Sequence, residues 1–282
     1  MHLRRLLALG LAVAAVVAAT AIAGGRSTRT STADLPALVN VNFINVCDFS
    51  HRRSDDPIVF PGKPNLSHDH SFFGNVSTDA YSTPRSLLKA GTTCQRADDT
   101  AGYWAPTLLV KNQPTPFVKA TVWYRRRTLQ RVRAFPPGLM MIAGNSKAMT
   151  PQSRRITFWD CGDNVKIRPS SPVPSCPDDR GNSLRLHVRF PDCWDGKHLD
   201  SADHKSHMAY STAGRCPASH PVAVPSIEMA IQYPVAGGRD VALASMGQFS
   251  GHADFMNAWH QAGLKRLVDF CLNAMRICGQ GG

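Results

Sequence analysis

Over short stretches the chain alternates apolar and polar positions far more often than it repeats them at helical spacing. Val39 to Phe49 (VNVNFINVCDF) has the two-residue period of a half-buried strand. The period returns in Ser183 to Phe190, where Leu184, Leu186, Val188 and Phe190 alternate with Arg185, His187 and Arg189. Val222 to Tyr233 repeats it, with Ile227, Met229 and Ile231 on one face. Tyr103 to Val110 and Phe117 to Tyr124 read as two strands joined by a turn, and Ile156 to Cys161 as another strand. Only Asp254 to Met275 looks helical. There Phe255, Trp259, Leu267 and Ala274 fall near one side, Asp254 suits an N-cap, and Gly263 weakens the middle. Short strands, 20 prolines and 21 glycines predict a mostly β domain. The expected architecture is a single β-sandwich or jelly-roll-like domain with disulfides and a C-terminal helix.

The N-terminus stands apart. Arg4 and Arg5 precede an uncharged run from Leu6 to Ala23 that ends Ala21-Ile22-Ala23, which reads as a secretory signal with a small-residue cleavage site. The run is also marginally long enough for an uncleaved anchor. Residues 24–35 are small and polar and read as a disordered leader, leaving residues 36–282 as a single domain. All eight cysteines lie in that domain. An even count without C-x-x-C spacing, in an exported chain, predicts disulfides rather than a zinc ribbon or a redox site. Short loops cost least entropy to close, so the expected pairs are Cys47–Cys94, Cys161–Cys176, Cys193–Cys216 and Cys271–Cys278. A formal net charge of +12 suits a polysaccharide or other extracellular polyanion as partner, or simply solubility. Neither nucleic acid nor, once the signal is removed, a membrane is expected.

Polar chemistry concentrates between Phe190 and Pro221, which holds His198, His204, His207 and His220 and is bracketed by Cys193 and Cys216. A second concentration is His68-Asp69-His70. On an extended backbone both imidazoles project to one side and Asp69 to the other, so the pair suits one cation. Two imidazoles hold a transition metal weakly. The expected third ligand is His207, completing a set of His68, His70 and His207 for one divalent metal ion. His204, Asp203 and Asp195 are the expected acid/base or orienting groups. A metal-free site, with a neutral histidine as base, is the alternative. Gly251-His252-Ala253-Asp254 is a weaker third piece, in which Asp254 serves to cap the helix. If Trp123 to Arg133 is extended, Arg125, Arg127, Arg131 and Arg133 line one side as substrate-binding groups; the plain alternative is a solvated outer strand. No G-x-S-x-G, H-E-x-x-H, P-loop or G-x-G-x-x-G motif is present.

Eight motifs occur in order: Asp56-Pro-Ile-Val-Phe-Pro-Gly62, Ser67-His-Asp-His-Ser-Phe-Phe-Gly-Asn75, Thr93-Cys94, Tyr103-Trp-Ala-Pro-Thr-Leu108, Phe135-Pro-Pro-Gly-Leu139, Phe190-Pro-Asp-Cys-Trp-Asp-Gly196, Asp203-His-Lys-Ser-His-Met208 and Cys216-Pro-Ala-Ser-His-Pro221. Together they resemble the domain of unknown function 1996 family over roughly residues 38–255. The resemblance implies a secreted protein of bacteria or filamentous fungi and carries no activity.

The chemistry in these clusters is that expected of a secreted carbohydrate-active enzyme, a hydrolase or lyase acting on extracellular or cell-wall polysaccharide. The alternative is a non-catalytic secreted module binding cell-wall glycan or another polyanion through the arginines. Export predicts a mature chain that begins near Gly24 and carries no free thiol. N-terminal sequencing and thiol titration under denaturing, non-reducing conditions check both, and two or more reactive cysteines would contradict the disulfide assignment.

Overall fold

A computed structural model describes residues 38, 40–164, 166–177 and 183–279, so the expected signal and leader lie outside the described residues. Along the chain the strands are β1 (Asn42–Cys47), β2 (Phe49–Arg53), β3 (His70–Gly74), β4 (Gly102–Pro106), β5 (Leu108–Val110), β6 (Gln113–Thr115), β7 (Lys119–Arg125) and β8 (Met140–Gly144). They continue as β9 (Thr157–Asp160), β10 (Arg185–Arg189), β11 (Cys193–Trp194), β12 (Met208–Ala209), β13 (Val222–Ala223), β14 (Ser226–Gln232), β15 (Val241–Leu243) and β16 (His252–Met256). A five-stranded sheet has the order β1-β7-β14-β10-β9, and a second has the order β2-β3-β4-β16-β8. Their pairings are antiparallel throughout. Two three-stranded sheets, β12-β11-β13 and β15-β5-β6, complete the fold.

Alternation decides which faces meet. Leu186 and Val188 of β10, Ile227, Met229 and Ile231 of β14, and Val122 and Tyr124 of β7 enter one core from the first sheet. Phe73, Tyr103, Ala105, Met141, Ala143, Ala253 and Phe255 enter it from the second. This is a β-sandwich, with two sheets burying one apolar face each. The expected turn between Tyr103 and Tyr124 is the β5–β6 hairpin, whose Lys111 and Asn112 both take positive φ (51° and 63°), as its tight reversal requires.

A buried polar chain ties the sheets together. Asp99 is fully buried and accepts from Asn45 Nδ2 at 2.7 Å and from the Tyr103 hydroxyl at 2.8 Å. Tyr103, on the second sheet, meets the hydroxyl of Tyr124 on the first, and the Trp259 indole donates to that same oxygen at 2.9 Å. Each group is partnered, so the burial is tolerated.

All four disulfides join the expected sequence neighbours. The Cys193–Cys216 bond closes the polar stretch into a loop, worth about 3 kcal/mol in the chain-entropy account. The bonds are compatible with an extracellular protein. Among the described residues no helix is long and apolar enough to cross a membrane.

The terminal helix starts later than its pattern predicts. Residues 252–256 form β16; besides the short α1 (Pro84–Leu87), the C-terminal α2 begins only at Gln261 (Gln261–Leu267), with a π-helical turn at Val268–Asn273 extending it. Every residue of β16 is buried. A strand covered on both faces has no polar alternation, so Phe255 and Trp259 mimic helical spacing. Gly263 is a contact requirement rather than a flaw: a Cβ there would lie 2.2 Å from the Asp98 carboxylate.

Burial pushes the Asp99 carboxyl up to about 7. A folded-state value above the unfolded one near 3.9 means that the folded chain holds the proton more tightly. Its contribution to stability is therefore complete below about pH 4 and is lost as pH rises through about 7. Urea midpoints measured between pH 4 and 8 are expected to show this loss in the native chain and not in Asp99→Asn.

Candidate metal centre

The register of the second sheet gathers the site. His70 opens β3 opposite Pro106, Asp254 lies between Trp104 and Ile142, and His252 faces Gly144. Directly paired residues on antiparallel strands share a face. Phe72, Trp104 and Met256 therefore pack on the side of the sheet away from the main core, in a small cluster with Ile58 and Leu87. His70, His252 and Asp254 occupy the same side. His68 keeps the alternation just ahead of β3, its ring 4.2 Å from that of His70, while Asp69 turns away to Arg52 at 2.8 Å. Gly144 permits the close packing, because a Cβ there would sit 2.3 Å from the Gly251 carbonyl and 2.8 Å from His252 Cα.

The hydrogen bonds set the tautomers. His70 Nδ1 donates to the Asp55 carbonyl at 2.9 Å, and His252 Nδ1 donates to the Ser250 carbonyl at 2.8 Å. A carbonyl only accepts, so in the neutral rings both Nε2 atoms carry lone pairs. Those atoms face each other at 3.5 Å, and His68 Nε2 lies 3.1 Å from His252 Nε2. Two nitrogens bound to one ion at about 2.0–2.1 Å each stand roughly 2.8–3.4 Å apart for cis to tetrahedral angles. The spacing fits a shared cation.

Charge and burial agree with that geometry. Burial pushes the His68 value down to about 4 and that of His252 to about 3, the latter reinforced by His68. His70 is pushed well below the ordinary range by burial and by the two neighbouring rings. All three are neutral, the ligand form, near pH 7. Asp254 is 1% exposed, and neither carboxylate oxygen has a hydrogen-bond partner. Burial, then the nearby Asp56, pushes its carboxyl well above the usual range. Asp56 itself accepts from the backbone of Ile58 and Val59 at 3.0 Å. His68, His70 and His252 form one group whose ligand atoms lie within 4.8 Å of one another, and Asp56, His70 and Asp254 form another. The two groups share His70, so the buried carboxylates of Asp56 and Asp254 lie next to the three imidazoles. A divalent cation would take the lone pairs and give Asp254 a counter-charge.

The structure does not bring His207, the expected third ligand, into the group: its Nε2 donates to the Met140 carbonyl at 2.7 Å and its Nδ1 lies 2.9 Å from Ser201 Oγ, while His252 stands with His68 and His70. The sequence signal was His252-x-Asp254, a two-residue period hidden by the helical reading of the next residues. His204 does approach the site: its charge acts on Asp56, and its Nδ1 lies 2.9 Å from Asp200. It holds a left-handed backbone (φ 57°). Asp203 instead caps its own turn, where the Ser206 and Lys205 amides and the Ser201 hydroxyl hold its carboxyl far below the usual range. Asp195 likewise closes a turn. Burial pushes its carboxyl up, but the His198 and Lys197 hydrogen bonds together bring it down to about 2.

The four arginines do not form a row, because β7 ends at Arg125. Arg125 and Arg127 turn to Glu228 at 3.4 and 3.6 Å, where Arg189 also binds at 2.8 Å. Arg131 reaches Asp269 at 2.7 Å beside the terminal helix, and Arg133 is exposed elsewhere.

Chelator-treated protein titrated with Zn²⁺ or Mn²⁺ is expected to bind one ion per chain. His252→Ala and Asp254→Asn should each weaken binding at least about tenfold, whereas His207→Gln should keep the stoichiometry. Calorimetry with elemental analysis checks this, and unchanged binding by His252→Ala would refute the ligand set.

No curated protein and no solved structure matches the chain. One family does, over residues 56–259, a span that begins at Asp56 and contains every proposed ligand. The chain belongs to the family described as Domain of unknown function (DUF1996).

Proposed function

We propose that the chain is a secreted, metal-assisted carbohydrate-active enzyme, a hydrolase or lyase of extracellular or cell-wall polysaccharide, centred on His68, His70, His252 and Asp254. The observation that carries the reading is the convergence of three neutral imidazoles, one of which is also grouped with an unpartnered, buried carboxylate. Structural polar groups are normally satisfied, and those left unsatisfied concentrate at sites of function. When bound, a divalent ion supplies Lewis acidity and an acidified water. The backbone carbonyls of Asp55 and Ser250 hold two of the rings in the ligating tautomer. His68 is only partly buried, which leaves one side of the cluster open to substrate. His204, oriented by Asp200, is placed at the edge to move a proton. The apparent export signal and the four disulfides support an extracellular substrate.

Metal-loaded protein is to be assayed on a polysaccharide panel, with new reducing ends marking either reaction and an unsaturated product marking a lyase. His252→Ala should lower activity about 100-fold or more, and His204→Ala should do so while retaining the metal. Activity that survives chelation would remove the metal from the reading. Metal binding without any cleavage would favour a binding module.

A further inference from the structure

Beyond the metal centre, the described residues carry a basic groove of about 500 Å³ on the far side of Tyr210. Arg127, Arg155, Arg189 and Tyr210 line it, together with the buried carboxyl of Asp192. Underneath, Glu228 is buried and shared by the guanidiniums of Arg125, Arg127 and Arg189, with His187 Nδ1 also 3.1 Å away. Three permanent cations on Glu228, with Asp192 as the one further carboxyl in the lining, leave an excess of positive charge. Arg155 adds to it, because it is exposed and makes no ion pair among the described residues.

The groove does not end there. Ile156 and Tyr210 also line an adjoining pocket of about 230 Å³, whose other walls include Ile142, Gly144 and Lys205. Ile142 and Gly144 are the cross-strand partners of Asp254 and His252, so this pocket abuts the face that carries the metal ligands. Lys205 is anchored to the Gly144 carbonyl at 2.6 Å, and its charge acts on both His252 and Asp254. Tyr210 is 41% exposed, and its hydroxyl is tied to the Arg189 carbonyl at 2.8 Å. Its ring is therefore a fixed, wet platform where the two pockets join. Aromatic faces suit sugar rings through their apolar C–H edges, and guanidinium forks suit carboxylates.

We infer that the two pockets form one substrate track, and that it selects a polysaccharide bearing repeated carboxylates, a polyuronate, whose acid groups meet Arg127, Arg155 and Arg189 while the chain crosses Tyr210 toward the metal centre. This substrate class rests on the proposed enzymatic reading for its purpose but not for its test. Affinity electrophoresis compares gels containing polygalacturonate, polyglycerol phosphate or neutral dextran, and uses intact wild-type protein. Polygalacturonate should retard the protein, with retardation falling as salt is added, and dextran should not. Arg155→Glu, an exposed change, and Arg127→Gln should each weaken the polygalacturonate interaction about tenfold, the loss of one charge-assisted contact. Chelated protein should be retarded as before, so a failure of the metal reading leaves this result legible. Retardation by polyglycerol phosphate alone would assign the groove to phosphate polymers and overturn the polyuronate. Equal retardation by dextran, no retardation by polygalacturonate, or an Arg155→Glu variant that behaves as wild type would overturn the track itself.

Discussion

The insertion of β16 between β4 and β8 is the constraint on which the rest of the molecule turns. One face of that strand supplies Ala253 and Phe255 to the sandwich core, and the other presents His252 and Asp254 to the opposite side. Because strand periodicity is two, a slip of one residue would exchange the faces. Phe255 would leave the core, and His252 and Asp254, the candidate ligands, would enter it. Core packing and ligand geometry are thus enforced by the same register, and the core holds the centre in place.

Two kinds of buried polar chemistry lie on the two sides of this sheet. On the core side, Asp99, Tyr103, Tyr124 and Trp259 satisfy one another and bind the sheets together. On the outer side, Asp254 and the Trp104 indole nitrogen have no hydrogen-bond partner. A buried, unsatisfied carboxyl costs stability, of the order of 1–3 kcal/mol even when neutral. A cation at the cluster would relieve that cost, so binding and folding stability are linked.

The disulfide-held loop from Cys193 to Cys216 turns many of its polar side chains back on itself. Most of its carboxylates close its own turns: Asp195 over Lys197 and His198, Asp203 over Lys205 and Ser206. His207 links the loop to β8. What the loop contributes to the centre is its rim, through His204 beside Asp56 and Lys205 beside Gly144. Tyr210 then carries that rim on toward the arginines.

Much was legible in the residues alone. Alternation in Ser183–Phe190 and Val222–Tyr233 specifies strands because one face is apolar and the other polar; the first is β10, and the second is divided at Val224-Pro225 into β13 and β14, which join different sheets, with the expected residues of both stretches buried. The disulfide partners followed from loop entropy, and the His68–His70 pair from the pleat of an extended chain. These are local properties, set by neighbours a few to a few tens of residues apart. The third histidine was not local. His252 lies 182 positions beyond His70, and only the antiparallel order β3-β4-β16 brings them together. Its strand was obscured because both faces are buried, which erases the alternation that marks a strand. The arginines tell the same story. Arg125 and Arg127 share Glu228 while Arg131 goes to Asp269, because their partners come from distant strands and the terminal helix, which no spacing within Trp123–Arg133 encodes.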